Sequence, residues 1–311
     1  MLCGRGGDTP RNRHTAQSPL KLRIAIFILL ALGAAIGWVA QTRMPFPSSP
    51  ARSAVGVLQL SDGVTYYKNG DGVPVLLLAS AGREASDFNE LVLALNKNGY
   101  CTFAIESAGI GGTSALPEGA TLHEYAAQAL QVADVEGLEQ FALIGHAYGN
   151  RVVRTISEDN PERVTAVILL AAGGQKPIAP KADLALRDIF DPRHSTKKRL
   201  ADIRYAFFAG DNEIPEYWRK GWHTKAAIAQ GKAVAATADT AWQSGGTAPM
   251  LVVQPEKDRI APKADTADIL QARFPDRVSL VIIPNAGHAL LPEQPAAVRD
   301  AVLTFLDETL P

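Results

Sequence analysis

Two cysteines are all that this chain of 311 residues contains, Cys3 and Cys101. Cys3 precedes an apolar run and Cys101 lies in a strand-like stretch, so a disulfide between them is disfavoured and no thiolate metal cluster can form. Net charge is equally scarce. Lys and Arg number 31 against 32 Asp and Glu, which leaves a net charge of −1 and excludes the basic field that nucleic-acid binding needs. Neither a metal-ligand cluster nor a cofactor fingerprint is present: Gly109 to Gly112 is glycine-rich but lacks the lysine of a phosphate loop and the spacing of a dinucleotide site. No metal, no cofactor and no nucleic-acid partner are therefore expected. Without a disulfide or metal staple, stability must come from the hydrophobic core, and 47% apolar residues suit one α/β domain of roughly 250 residues plus an appendage.

The appendage is N-terminal. Residues 24–40, IAIFILLALGAAIGWVA, form an uncharged apolar run at the short end of a bilayer-spanning helix. Arg5, Arg11, Arg13, Lys21 and Arg23 precede it, and only Arg43 and Arg52 follow closely. The asymmetry predicts a cytoplasmic basic tail over 1–23, a single-pass anchor over 24–42, a linker over 43–53 and an exported domain, periplasmic or extracellular, over 54–311. A cleaved signal peptide and a secreted domain is the alternative, although cleavage after Ala40 puts Trp38 where a small residue is wanted. Within the linker, MPFPSSP reads as an extended tether.

Beyond it the chain alternates. Residues 55–60 and 64–68 flank the turn Ser61-Asp62-Gly63, which predicts an antiparallel hairpin at a sheet edge. Residues 73–78, VPVLLL, are too uniformly apolar for a surface strand and belong mid-sheet. A helix over 87–98 capped by Ser86, a strand over 100–105, and a helix opened by the capping box Thr121 to Glu124 follow. Strands are expected at 141–144, 164–170, 250–254 and 279–283, and helices at 262–274 and 293–310. This order predicts a mostly parallel sheet with helices on both faces. One stretch interrupts it. Residues 175–246 are helical and aromatic, with three of the four tryptophans, and read as a cap over a site or as an insert whose aromatics fill its own core.

Residues 141–154, FALIGHAYGNRVVR, run from a buried strand through a glycine-flanked turn into a helix. The pattern resembles the nucleophile elbow G-x-S-x-G, with Ala147 at its centre. Downstream, LVVQPEKDRIAP presents Asp258 after a strand, and Asn285-Ala286-Gly287-His288 presents His288 after the last one. Elbow, acid and histidine in this order are similar to the α/β-hydrolase superfamily over residues 55–311. The resemblance implies an α/β-hydrolase fold with a helical cap, here preceded by a transmembrane helix. It implies Asp258 and His288 as catalytic acid and base, Ala147 at the nucleophile position, and an oxyanion hole from the backbone N–H groups of Tyr148 and Ala81. The sequence departs from the family at Ala147, at Ala79 to Arg83 in place of a His-Gly type loop, and at Glu106 to Gly112 in place of Asp-x-Arg-Gly.

An alanine cannot form an acyl-enzyme. Three readings follow: His288 with Asp258 acts as a non-covalent general base in hydrolysis or lyase-type chemistry; the pocket binds ligand or serves as a scaffold without turnover; or Ser80, Ser107 or Ser114 replaces the nucleophile. The superfamily implies a small, partly apolar ester, lactone or related carbonyl compound as ligand. Ser80, Arg83, Glu106 and Trp222 are the expected substrate-contacting side chains, with pairing between Arg83 and Glu106 as the alternative. His146 is expected in helix packing, His223 beside the cap tryptophan, and Arg193 to Arg199 at a solvated helix start.

Overall fold

A computed structural model describes residues 52–310. The expected basic tail, the anchor and the linker up to residue 51 lie outside the described residues. Among the described residues no helix is long and apolar enough to cross a membrane.

The strands are β1 (Val57–Ser61), β2 (Val64–Asn69), β3 (Val73–Leu78), β4 (Tyr100–Ile105), β5 (Phe141–His146), β6 (Val164–Leu170), β7 (Met250–Pro255) and β8 (Val278–Ile283). They form one sheet in the order β1-β2-β4-β3-β5-β6-β7-β8. β1 with β2 and β2 with β4 are antiparallel; every other neighbour is parallel. The central strands are apolar along their length because helices cover both faces. Alternate residues serve opposite cores: Leu76 and Leu143 pack in one cluster, Val75, Leu77 and Ile144 in the other, as the period of two along a strand requires. Cys101 is free and buried on β4.

The covering helices are α1 (Asn89–Lys97), α2 (Leu122–Val135), α3 (Tyr148–Asp159), α8 (Ala267–Arg273), α9 (Leu290–Glu293) and α10 (Pro295–Thr309). Between β6 and β7 stand α4 (Pro180–Ile189), α5 (Thr196–Phe207), α6 (Glu216–Arg219) and α7 (Thr224–Ala236). Phe207, Trp218 and Trp222 centre an apolar cluster of their own in this insert. The capping box at α2 is formed, Thr121 and Glu124 each satisfying the other's backbone N–H region.

Three expected helix boundaries differ from those observed. Ser86 caps no helix, because residues 85–88 form a 3₁₀ turn, closed by Asp87 N–H donating to Glu84 O, before α1 begins at Asn89. The helix expected over 262–274 is a 3₁₀ turn over Lys263–Asp265 followed by α8, with a break at Thr266, φ −142° and ψ −70°. The closing helix is split at Gln294, φ −136° and ψ 55°, because Pro295 clashes with a helical conformation in the residue before it.

Candidate active site

β5 ends at His146 and α3 begins at Tyr148, so the chain reverses within Ala147. Ala147 takes φ 50° and ψ −107°, a strained conformation for a residue with a β-carbon, costing on the order of 1–3 kcal/mol. The surroundings hold it. Its N–H donates to Leu170 O at 3.0 Å and its carbonyl accepts from Asn150 N–H at 3.2 Å. The flanking glycines are steric necessities: a β-carbon on Gly149 would lie 2.0 Å from Leu78 O, and one on Gly145 would lie 2.5 Å from Asn150 N.

The loop after β7 carries Asp258, whose Oδ1 accepts from the N–H groups of Ile260 at 2.9 Å and Ala261 at 2.8 Å. Its Oδ2 accepts from His288 Nδ1 at 2.8 Å. Both side chains are buried. The carboxylate fixes the proton on Nδ1 and leaves the lone pair on Nε2. No described residue hydrogen-bonds that nitrogen.

The backbone around His288 is held from three sides. Glu293 accepts from the N–H groups of Gly287 and Ala209 and from Asn212 Nδ2, each at 2.7 Å. Ala289 N–H donates to Phe207 O at 2.8 Å. His146 Nε2 donates to His288 O at 2.8 Å; a carbonyl only accepts, so the proton sits on Nε2 and the buried Nδ1 is left without a partner. Burial, reinforced by His288, pushes the His146 pKa down to about 4. His146 is therefore a neutral donor at neutral pH.

A cavity of about 430 Å³ lies over the turn, with Ser80, Ala81, Ala147, Tyr148 and His288 in its wall. Leu186 on α4, Phe190 just after it and Phe207 on α5 supply apolar wall, and Arg151, Asp183 and Arg187 add charged groups to the lining. The N–H groups of Tyr148 and Ala81 are taken by no acceptor among the described residues. Two unused backbone donors, an oriented imidazole and a largely apolar wall are a suitable setting for polarising a carbonyl.

The sequence model of the alpha/beta hydrolase family matches residues 75–301. The chain belongs to that family. Among curated relatives of this hydrolase-family chain, a non-heme chloroperoxidase of Burkholderia pyrrocinia is 26% identical over 76% of the chain and 92% of the relative. A non-heme haloperoxidase of Rhodococcus erythropolis is 23% identical over 79% and 97%. Among solved structures, a thermophilic esterase from Thermogutta terrifontis superposes with a TM-score of 0.66 at 19% identity, over 83% of the chain and all of the esterase, and so shares the fold.

Not every expected contact residue of the hydrolase-family domain reaches the cavity. Ser80 does. Arg83 is buried in a bidentate pair with Asp87, at 2.9 and 2.7 Å. Its remaining N–H groups donate to the carbonyls of Tyr217, Lys220 and Gly221, and its guanidinium lies over Trp218 and Trp222. It touches neither ligand space nor Glu106; it fastens the cap to the loop after β3. Glu106 is likewise buried, accepts from Ala85 N–H at 3.2 Å, and has its pKa pushed up to about 8 by burial and by the neighbouring Glu84 and Asp87. Trp222 packs in the cap core with Nε1 on Trp218 O at 2.7 Å. His223 pairs with Glu84 at 2.7 Å. Ser107 and Ser114 do not line the cavity; Ser107 accepts from Gln230 Nε2 on α7 at 3.0 Å. Of the basic stretch 193–199, Lys198 bridges Asp188 and Asp202, and Arg199 is buried rather than solvated.

Arg151 and Glu293 escaped the sequence reading. Each carried a usable signal: Arg151 stands one helical turn after Ala147, and Glu293 follows His288 by five residues, at the end of a short helix.

Proposed function

We propose that this protein acts on a small, partly apolar carbonyl or ester-type compound with His288 as a non-covalent general base. The observation that carries the reading is the His288 Nε2 lone pair at the cavity, with Nδ1–H locked onto Asp258 beside an elbow that has no side-chain oxygen. In hydrolysis, a water oxygen adds to the substrate carbonyl while its proton passes to Nε2, and Asp258 stabilises the imidazolium. The oxyanion accepts from Tyr148 N–H and Ala81 N–H. Collapse breaks the bond to the leaving group, which takes the proton back from Nε2. The relatives, named as haloperoxidases and an esterase, support small-molecule chemistry in this cavity. Losing a triad serine costs on the order of 10⁶ in kcat, with about 10³ to 10⁴ over water retained from binding and the oxyanion hole. Ordinary serine-esterase turnover is thus not expected.

The test compares the full chain with His288→Ala against esters, lactones and related carbonyl compounds, following product by mass spectrometry. Turnover that disappears with His288 is expected. Equal turnover in both proteins would refute a histidine base, and ligand binding without turnover in either would favour a hydrolase-fold binding or scaffolding protein. The strain kept at Ala147 supports an inherited site under both readings. We further propose that residues 24–42 anchor the domain on the exported side of a membrane; recovery of the native protein in the soluble fraction after cell breakage would count against the anchor.

A further inference from the structure

Two cations line the cavity, Arg151 and Arg187, and the reaction above uses neither. Arg151 lies on α3 one helical turn after Ala147, about 6 Å further along the axis, and lines the same cavity. Its guanidinium runs along Gly173 and Gly174, which also line it: a β-carbon on Gly174 would stand 3.3 Å from Arg151 Nε, and one on Gly173 would stand 3.7 Å from Nη2. Nε is buried without a hydrogen-bond partner. No described carboxylate or carbonyl accepts from the guanidinium, which lies over the ring of Trp242, 5.6 Å from the centroid.

Its neighbours differ. Arg154, on the same helix, is satisfied by Asn150 O, Asn150 Oδ1 and Gly173 O, and Arg187 is paired with Asp183. Desolvation lowers the Arg151 pKa, while Tyr148 and Asp239 act in the opposite sense. Arg151 is partly exposed at the cavity, but its Nε is withdrawn from water and given no acceptor, which is costly. The cost is removed when a ligand supplies the anion.

We infer that Arg151 is a specificity residue that binds a carboxylate of the substrate, so that the cavity takes short, partly apolar acids bearing a carbonyl or ester group a few bonds from the carboxylate. This rests on the cavity being the ligand site proposed above, and it narrows the substrate class. The planar fork of Arg151 matches a carboxylate with two parallel N–H···O bonds. The helical spacing from Ala147 sets the distance: the carboxylate sits beside Gly173 and Gly174 while the reacting carbonyl reaches His288 and the unused N–H groups of Tyr148 and Ala81.

The test is calorimetric binding of 5-oxohexanoate, 5-oxohexanamide and 2-hexanone to the full chain at neutral pH. The acid should bind at least about tenfold more tightly than the amide or the ketone. Arg151→Gln should bring acid and amide within about twofold of each other, and Arg151→Lys should keep part of the preference as a point charge without the fork. His288→Ala should retain the full preference, which separates this inference from the general-base reading: turnover lost with preference kept bears on the chemistry alone. Equal binding of acid and amide by the native protein, no binding of the acid at millimolar concentration, or a preference that survives Arg151→Gln would overturn it. The native comparison needs no variant to fold.

Discussion

At Ala147 the backbone keeps a strained elbow while the side chain offers only a methyl group. A glycine there would relieve the positive φ, and a serine would give the strain its familiar purpose of lifting a hydroxyl above the sheet. Ala147→Ser therefore tests whether the rest of the site is competent. The serine hydroxyl should fall within the reach of His288 Nε2; the variant should hydrolyse short activated esters faster than the native protein and be labelled by a fluorophosphonate, which should leave the native elbow, with its methyl group, unlabelled. A silent, unlabelled serine would mean that His288 or the oxyanion donors are out of register with the elbow. Ala147 was readable from sequence as the residue at the centre of a glycine-flanked strand-to-helix turn. Arg83 and Glu106 were not readable, because a strand-end position says that a residue is near the site and not which way its side chain turns. Asp87 decides that for Arg83, and it sits four residues on in a turn that the sequence presented as helix.

Among the elements, the loop between β8 and α9 matters most, because it carries His288 on backbone that has no regular structure. Glu293 gathers three donors from that loop and from the segment after α5, so the cap and the histidine share one acceptor. Burial raises the Glu293 pKa while its three donors oppose the rise. Glu293→Ala leaves those donors without it, at about 1–3 kcal/mol of stability. In the Ala147→Ser background it should also slow fluorophosphonate labelling by about tenfold or more, since small displacements of a catalytic group are expensive. Labelling at an unchanged rate would show that the loop is fixed without Glu293. A second tie between cap and core joins α7 to the loop after β3, where Gly82 N–H donates to Gln230 Oε1 at 2.8 Å and Gly82 O accepts from His223 N–H at 2.9 Å. Loop and cap thus set the position of Ala81 together.

For the molecule as a whole, the buried Glu106 makes stability depend on pH. Its folded pKa is raised from 4.5 to about 8, so the native state binds a proton that the unfolded chain releases. Stability from this group is complete below pH 4.5 and is lost as pH rises to about 8. His146, lowered from 6.5 to about 4, acts in the other sense and loses stability as pH falls across that interval. Comparing native protein with Glu106→Gln isolates the first effect, because His146 is common to both. The two should melt together near pH 4.5, and the variant should melt higher by several degrees near pH 8. A difference that does not change with pH would show that Glu106 is ionised in the fold.

The sequence by itself determined the sheet, because uniformly apolar strands alternating with amphipathic helices have few other ways to bury their surface. It also determined the elbow, since two glycines around a strand-to-helix turn are a local steric requirement, and the order of Ala147, Asp258 and His288 along the chain. Tertiary structure alone decided which side chains became cavity wall and which became struts. Arg83, Glu106 and Trp222 were drawn into the core of cap and loop, where a buried guanidinium finds Asp87 and three carbonyls. Arg151, with no such acceptor, was left beside the cavity. Local pattern fixes where a side chain starts, and the acceptors brought near it by distant parts of the chain fix where its charge can rest.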